Sequence, residues 1–149
     1  MRRLALAALA LAFLAIACQP ATTELTDAQK AEIEAAVLEA SVAYTEVYHG
    51  EDVDGYMSYS SDWAGTPWGC CETLADLRSF AQTEWDRWDF ESFENGEMKV
   101  MVLGPDAAAV AFTQMQVRVD SAGVRQETAH ELTFVWVREA GQWKLLVAK

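Results

Sequence analysis

Basic residues are scarce in this chain: 11 Lys and Arg stand against 23 Asp and Glu, for a net charge of −12 over 149 residues. That balance repels phosphate backbones and anionic headgroups, so nucleic acid is not an expected partner. Histidine is scarcer still, with His49 and His130 alone. Two distant histidines and cysteines without ligand spacing make a poor zinc site, and neither a metal site nor a cofactor is expected. Long apolar runs are missing beyond the N-terminus, so no membrane-spanning helix is expected there. There is no internal repeat and no low-complexity stretch. An apolar content of 52% nevertheless argues against disorder, and the length suits one domain with one core.

The one sustained apolar run is Leu4 to Ala17, preceded by Met1-Arg2-Arg3. It is too short to span a bilayer as a helix, which takes about 20 residues, and it has the form of a signal-peptide core. Its ending, Leu14-Ala15-Ile16-Ala17-Cys18, resembles a bacterial lipobox, with Ala15 where a Leu is usual. The resemblance implies a lipoprotein signal peptide over residues 1–17, lipidation of Cys18, a tether over 18–25 and a domain over 26–149. Export, with lipid anchoring to the periplasmic or cell-surface face of a bacterial membrane, would follow. An ordinary secretory signal cleaved near Ala17, or an uncleaved anchor, is the alternative. Removing Arg2 and Arg3 with no acid moves the net charge from −12 to −14, so contact with the membrane would come through the lipid alone.

Helices are expected in the first half. Thr26-Asp27-Ala28-Gln29 has the form of a capping box, and Ile33, Val37, Ala40, Tyr44 and Val47 then recur on one helical face as far as about His49-Gly50. Glu51 to Gly55 breaks that helix, and Tyr56 to Tyr59 suggests a further turn. A third helix is predicted from the box-like Thr73-Leu74-Ala75-Asp76, carrying Leu74, Leu77, Ala81, Trp85 and Trp88 and ending near Trp88. From Val100 the pattern changes to strands divided by Gly104-Pro105-Asp106, Asp120 to Gly123 and Glu139-Ala140-Gly141. Helices followed by an antiparallel meander make an α+β fold.

Four segments carry a closer likeness: Gly50-Glu51-Asp52-Val53-Asp54, Leu103 to Val110, Glu131 to Arg138, and Gly141 to Leu146. With the element order, they resemble the nuclear transport factor 2-like (NTF2-like) superfamily, in its SnoaL-like and DUF4440-type branches, over about Ala31 to Ala148. The resemblance implies a cone, a curved sheet wrapped on the N-terminal helices with a pocket at the open end. It carries no invariant catalytic signature. Tyr44, Tyr48, Trp63, Trp68, Trp85 and Trp88 suit an aromatic pocket for a small apolar ligand, with core packing as the plainer reading of each ring.

Alternation groups Phe112, Gln114, Gln116 and Arg118 on one strand face, and Thr128, His130, Leu132, Phe134 and Trp136 on another. Gln114 and His130 thereby join the expected pocket, while Glu131 points away. Enzymes of this superfamily include ketosteroid isomerase, whose chemistry pairs a carboxylate base with tyrosine and protonated aspartic acid donors. The candidates for such chemistry here are His130 and Asp62, the latter with Tyr44 or Tyr48. Two readings stand: a non-catalytic tethered domain that binds a small apolar molecule or serves as an interaction module, and a small lyase, isomerase or cyclase. Cys70 and Cys71 are read as a strained vicinal disulfide, free thiols, or bonds to another chain. Strands with apolar residues on both faces predict a homodimer through the outer sheet face.

Overall fold

The structure, a computed structural model, describes residues 24–63 and 66–149. The signal peptide, Cys18 and most of the tether lie outside the described residues. Helix α1, Asp27–His49, starts where the Thr26 hydroxyl accepts from the Gln29 N–H and Gln29 returns a bond to the Thr26 N–H, so the expected capping box is formed. Its buried face runs through Ile33, Val37, Ser41, Tyr44 and Thr45, whereas Ala40 and Val47 are only half-buried. The two polar members are tolerated because each bonds its own helix: Ser41 Oγ donates to the Val37 carbonyl at 2.8 Å and Thr45 Oγ1 to the Ser41 carbonyl at 3.1 Å.

Helix α2, Val53–Ser58, is capped by Asp52, whose carboxylate accepts from the Gly55 N–H at 2.9 Å. A Cβ at position 55 would push that carboxylate aside and loosen the cap. Helix α3 covers Leu74–Arg87 behind a capping box of Thr73 and Asp76. The predicted stripe is corrected at both ends. Leu74 is exposed in the first turn, and Trp88 has extended backbone and opens a strand. Leu77 and Ala81 are fully buried.

The sheet is antiparallel, with strands β1 (Trp88–Asn95), β2 (Lys99–Gly104), β3 (Ala107–Asp120), β4 (Arg125–Glu139) and β5 (Gln142–Ala148). β2 to β5 are the meander expected from Val100. β1 was not expected. β3 is long enough to pair with β2 along its first half and β1 along its second, and β4 and β5 follow on its other side. The β4–β5 turn places Ala140 and Gly141 at φ of 50° and 82°, the two left-handed positions of a tight hairpin loop. The outer edge of β5 is covered: Leu145 N–H donates to the Tyr59 carbonyl at 2.6 Å and Ala148 N–H to the Pro67 carbonyl at 2.8 Å.

The core lies where α1 crosses the inner face of the sheet. Tyr44 is its hub, with ring centroids 5.2 Å from Tyr56, 5.7 Å from Tyr59, 5.4 Å from Phe134 and 6.0 Å from Trp136. Val37, Leu77, Val110, Phe134, Trp136 and Leu145 around it are almost wholly buried. On the outer face the register sets Met101, Ala109, Val135 and Val147 in one row across four strands. Met101 at one end of that row is 65% exposed. No described helix is long and apolar enough to cross a membrane.

Candidate functional site

Beyond the core the sheet and helices diverge and enclose a cavity of about 300 Å³. Its floor is aromatic: Tyr44, Tyr56 and Phe134 rise from the core, and Trp68 closes over them by donating Nε1–H to the Tyr44 hydroxyl at 2.6 Å. Tyr48 from α1 packs on Phe90 and Phe93 of β1 at 5.8 and 5.7 Å. Phe90 and Phe93 are three residues apart, a spacing that puts side chains on opposite faces of a regular strand. The bulge between Phe90 and Ser92 inserts one residue, and both rings line the cavity. Phe80 and Glu84, one turn apart on α3, form the remaining wall.

A polar ladder climbs the sheet side. Gln114 pairs with His130, Gln116 with Thr128 and Arg118 with Gln126 in the β3–β4 register. Gln114 Nε2 donates to Asn95 Oδ1 at 2.8 Å, and Asn95 Nδ2 passes the chain to Thr45 Oγ1 at 3.4 Å. His130 Nε2 lies 3.4 Å from Gln116 Oε1. Arg118 Nη2 donates to Gln126 Oε1 at 3.3 Å, its Nη1 is 3.9 Å from Glu84, and its guanidinium sits 4.0 Å from the centroid of the Trp88 ring. Its Nε–H is buried without a partner. A buried N–H in that state costs roughly 1–3 kcal/mol.

The phenols of the floor are held neutral. Burial raises Tyr44 and Tyr56 well above the ordinary tyrosine value, and burial with the nearby Glu84 charge pushes Tyr48 up to about 12. They stay protonated well into the alkaline range, and the Tyr44 oxygen accepts from Trp68.

Of the residues expected at the pocket, Tyr44, Tyr48, Trp68, Gln114 and His130 line the cavity. Trp63 does not: it is 71% exposed, and its indole has no hydrogen-bond partner among the described residues, whereas that of Trp68 is held by Tyr44. Trp85 packs against Tyr48 and Tyr56 from behind and lines a separate, shallow depression with Glu51, Val53, Gln82 and Asp86. Asp62 is also elsewhere. It is exposed, and its N–H donates to Glu139 at the β4–β5 turn, nine residues along β4 from His130, or about 30 Å of strand. Asp62 is therefore not among the cavity residues that include Tyr44 and Tyr48, the partners expected for it, whereas His130 is. No carboxylate is hydrogen-bonded to His130 among the described residues.

Residues missed by the sequence reading are Thr45, Tyr56, Phe80, Glu84, Phe90, Phe93, Leu132, Phe134 and, as cavity groups, Gln116 and Arg118. The last two share the parity of Gln114, a signal that was present. Cys70 and Cys71 are free thiols with Sγ atoms 2.7 Å apart, and Cys70 lies at the cavity. No group of three or more metal-ligating side chains occurs among the described residues.

Residues 93–148, from the middle of β1 to the end of the sheet, match the family described as calcium/calmodulin dependent protein kinase II association domain. No curated protein matches the sequence. Among solved structures, a ketosteroid isomerase-like protein from Erwinia carotovora atroseptica superposes with a TM-score of 0.65 at 18% identity, covering 76% of this chain and 91% of that one. The association domain of C. elegans CaMKII gives 0.60 at 17% identity, over 83% and 97%. An NTF2-like protein of unknown function from Rhodospirillum rubrum gives 0.62 at 16%, over 75% and 93%. At these identities the likeness establishes the fold, which is NTF2-like and of the α+β class.

Proposed function

We propose that this NTF2-like domain is a non-catalytic binding module of the bacterial cell envelope, of the SnoaL-like and DUF4440-type branch, lipid-anchored through Cys18. Its ligand is a small molecule with an apolar, aromatic-compatible body and a polar end. The observation that carries this reading is the cavity itself: an aromatic floor beneath a polar ladder, with a histidine whose side-chain neighbour at 3.4 Å is the Gln116 amide and to which no carboxylate is hydrogen-bonded among the described residues. The ladder orients the polar end, and Arg118 brings a positive charge to the cavity wall.

Thermal-shift and fluorescence titration with two probes tests it, anionic anilinonaphthalene sulfonate and neutral N-phenylnaphthylamine. Saturable one-site binding is expected, and at 100 times the dissociation constant it adds about 2.7 kcal/mol of stability. Phe93→Trp enlarges one ring of the cavity wall, narrows the space and should weaken binding of both probes. Unchanged affinity in that variant places the probe elsewhere and sinks the reading. Turnover of a bound compound that disappears in His130→Gln would instead favour the isomerase or lyase alternative.

The anchor and the assembly have separate tests. Labelled palmitate should be incorporated by the full chain and not by Cys18→Ala. The apolar row of Met101, Ala109, Val135 and Val147 supports a homodimer through the outer sheet face. Sedimentation equilibrium at micromolar concentration should give a dimer that Met101→Glu dissociates; a wild-type monomer rejects the dimer.

A further inference from the structure

We propose that Cys70 and Cys71 form a two-electron redox site at the mouth of the cavity, oxidised by small disulfides through exchange at Cys70. Neighbouring side chains in an extended chain point to opposite sides. Here both thiols face each other at 2.7 Å. Gly69 just before the pair turns the chain with a φ of 61°, and a Cβ there would meet nothing within 4 Å, so it is the backbone turn that needs glycine. The loop is fastened at the pair and in the residues before it. Thr66 Oγ1 donates to the Cys71 carbonyl at 2.6 Å, the Pro67 carbonyl accepts from Ala148, and Trp68 is held by Tyr44. Such fastening keeps the two sulfurs in register.

The two thiols differ in the way an entry and a resolving thiol must. Cys70 is exposed, while Cys71 is half-buried against the core. Burial first, and then the hydrogen bond and charge of Cys70, push the Cys71 thiol up to about 11. Cys70 therefore reacts first: its thiolate attacks one sulfur of a disulfide R–S–S–R, one R–S⁻ leaves, and a mixed disulfide remains on Cys70. The Cys70 hydrogen bond and charge are then gone, which lowers the cost of ionising Cys71. Cys71 thiolate next attacks Cys70 Sγ and expels the second R–S⁻. Two thiols have become one disulfide, and the oxidant has been reduced to two R–SH. Adjacent Cα atoms are about 3.8 Å apart, below the usual ~4.4–6.8 Å of a disulfide, so the ring is strained and dithiols reopen it. This chemistry is independent of the ligand proposed for the cavity.

Trypsin releases both cysteines on one peptide, Ala31 to Arg78, which excludes Cys18. After incubation of the full chain with oxidised glutathione, that peptide should lose both alkylatable thiols, retain no glutathione, and recover both thiols with dithiothreitol. Cys71→Ser should retain one glutathione on Cys70, and Cys70→Ser should react about tenfold more slowly. A wild-type peptide that keeps glutathione, or keeps both free thiols, overturns the proposal even if a variant fails to fold. Equal rates in two folded single variants overturn the assigned order.

Discussion

At one end of the β3–β4 ladder Ala108 pairs with Trp136 and Val110 with Phe134, and all four are buried. At the other end Gln114 pairs with His130, Gln116 with Thr128 and Arg118 with Gln126, and the same inner face borders open space. The strands, the pleat and the hydrogen-bond register are continuous between them. What differs is the partner offered from the helical side. At the closed end Tyr44 meets Phe134 and Trp136 edge-on at 5.4 and 6.0 Å, and interlocking rings leave no room. At the open end the ladder residues bond sideways to one another, and α3 offers only Phe80 and Glu84 across the gap. One sheet face thus serves as core and as binding wall because the register of polarity changes at residue 114.

The largest expected effect tests the closed end. Trp136→Ala removes a side chain with no exposure and should cost about 3–5 kcal/mol in urea denaturation. Trp136→Phe should cost clearly less, because it keeps a ring and removes an indole N–H that is buried without a partner. Equal losses would mean that shape, and not buried volume, dominates there.

Alkaline pH probes the boundary between the ends. The phenol of Tyr48 is raised to about 12 in the folded chain, chiefly by burial, against about 10 when unfolded. The folded state holds its proton longer, so its stability is complete below pH 10 and falls as pH rises from 10 towards 12, by on the order of 2 kcal/mol. Tyr44 and Tyr56 shift in the same direction for the same cause. Thermal denaturation against pH should show this decline, and Tyr48→Phe should make it shallower; an identical slope would mean that Tyr48 carries none of it.

The closed end was more legible in the sequence than the open end. Both capping boxes were readable because Thr26 with Gln29 and Thr73 with Asp76 act within a single turn. The strand-face groups of β3 and β4 followed from alternation, which the long regular pairing preserves. β1 was hidden because Asp89, Glu91 and Glu94 give it a solvated look and its bulge breaks the period of two that would have joined Phe90 to Phe93. Phe80 and Glu84 sit beside the Leu77 and Ala81 stripe and read as the outer flank of a surface helix. Which loop tryptophan turns inward depended on a bond to a residue 24 positions away, beyond any local pattern.

A smaller effect is expected where the ladder meets α1. Gln114→Leu leaves Asn95 Oδ1 without its 2.8 Å donor and should cost about 1 kcal/mol. It should cost more than Gln116→Leu, whose side-chain neighbour is His130 at 3.4 Å. The reverse order in urea denaturation would place the structural anchor of the wall at the mouth of the cavity and not at its base.

The smallest stability effect belongs to Arg118, and it separates the two ends most sharply. Arg118→Met keeps the stem volume, loses a 3.9 Å contact with Glu84 and a 3.3 Å bond to Gln126, and gives up the contact with Trp88. These losses are worth roughly 1–2 kcal/mol, and they are offset by removing a buried N–H that has no partner. Stability should therefore change by less than about 1 kcal/mol. If the guanidinium is kept for a ligand's polar end, anilinonaphthalene sulfonate should bind about tenfold more weakly, or ~1.4 kcal/mol, while N-phenylnaphthylamine is unaffected. Equal weakening of both probes would show that Arg118 shapes the wall without reading charge. A large loss of stability would show that the open end, like the closed one, is core.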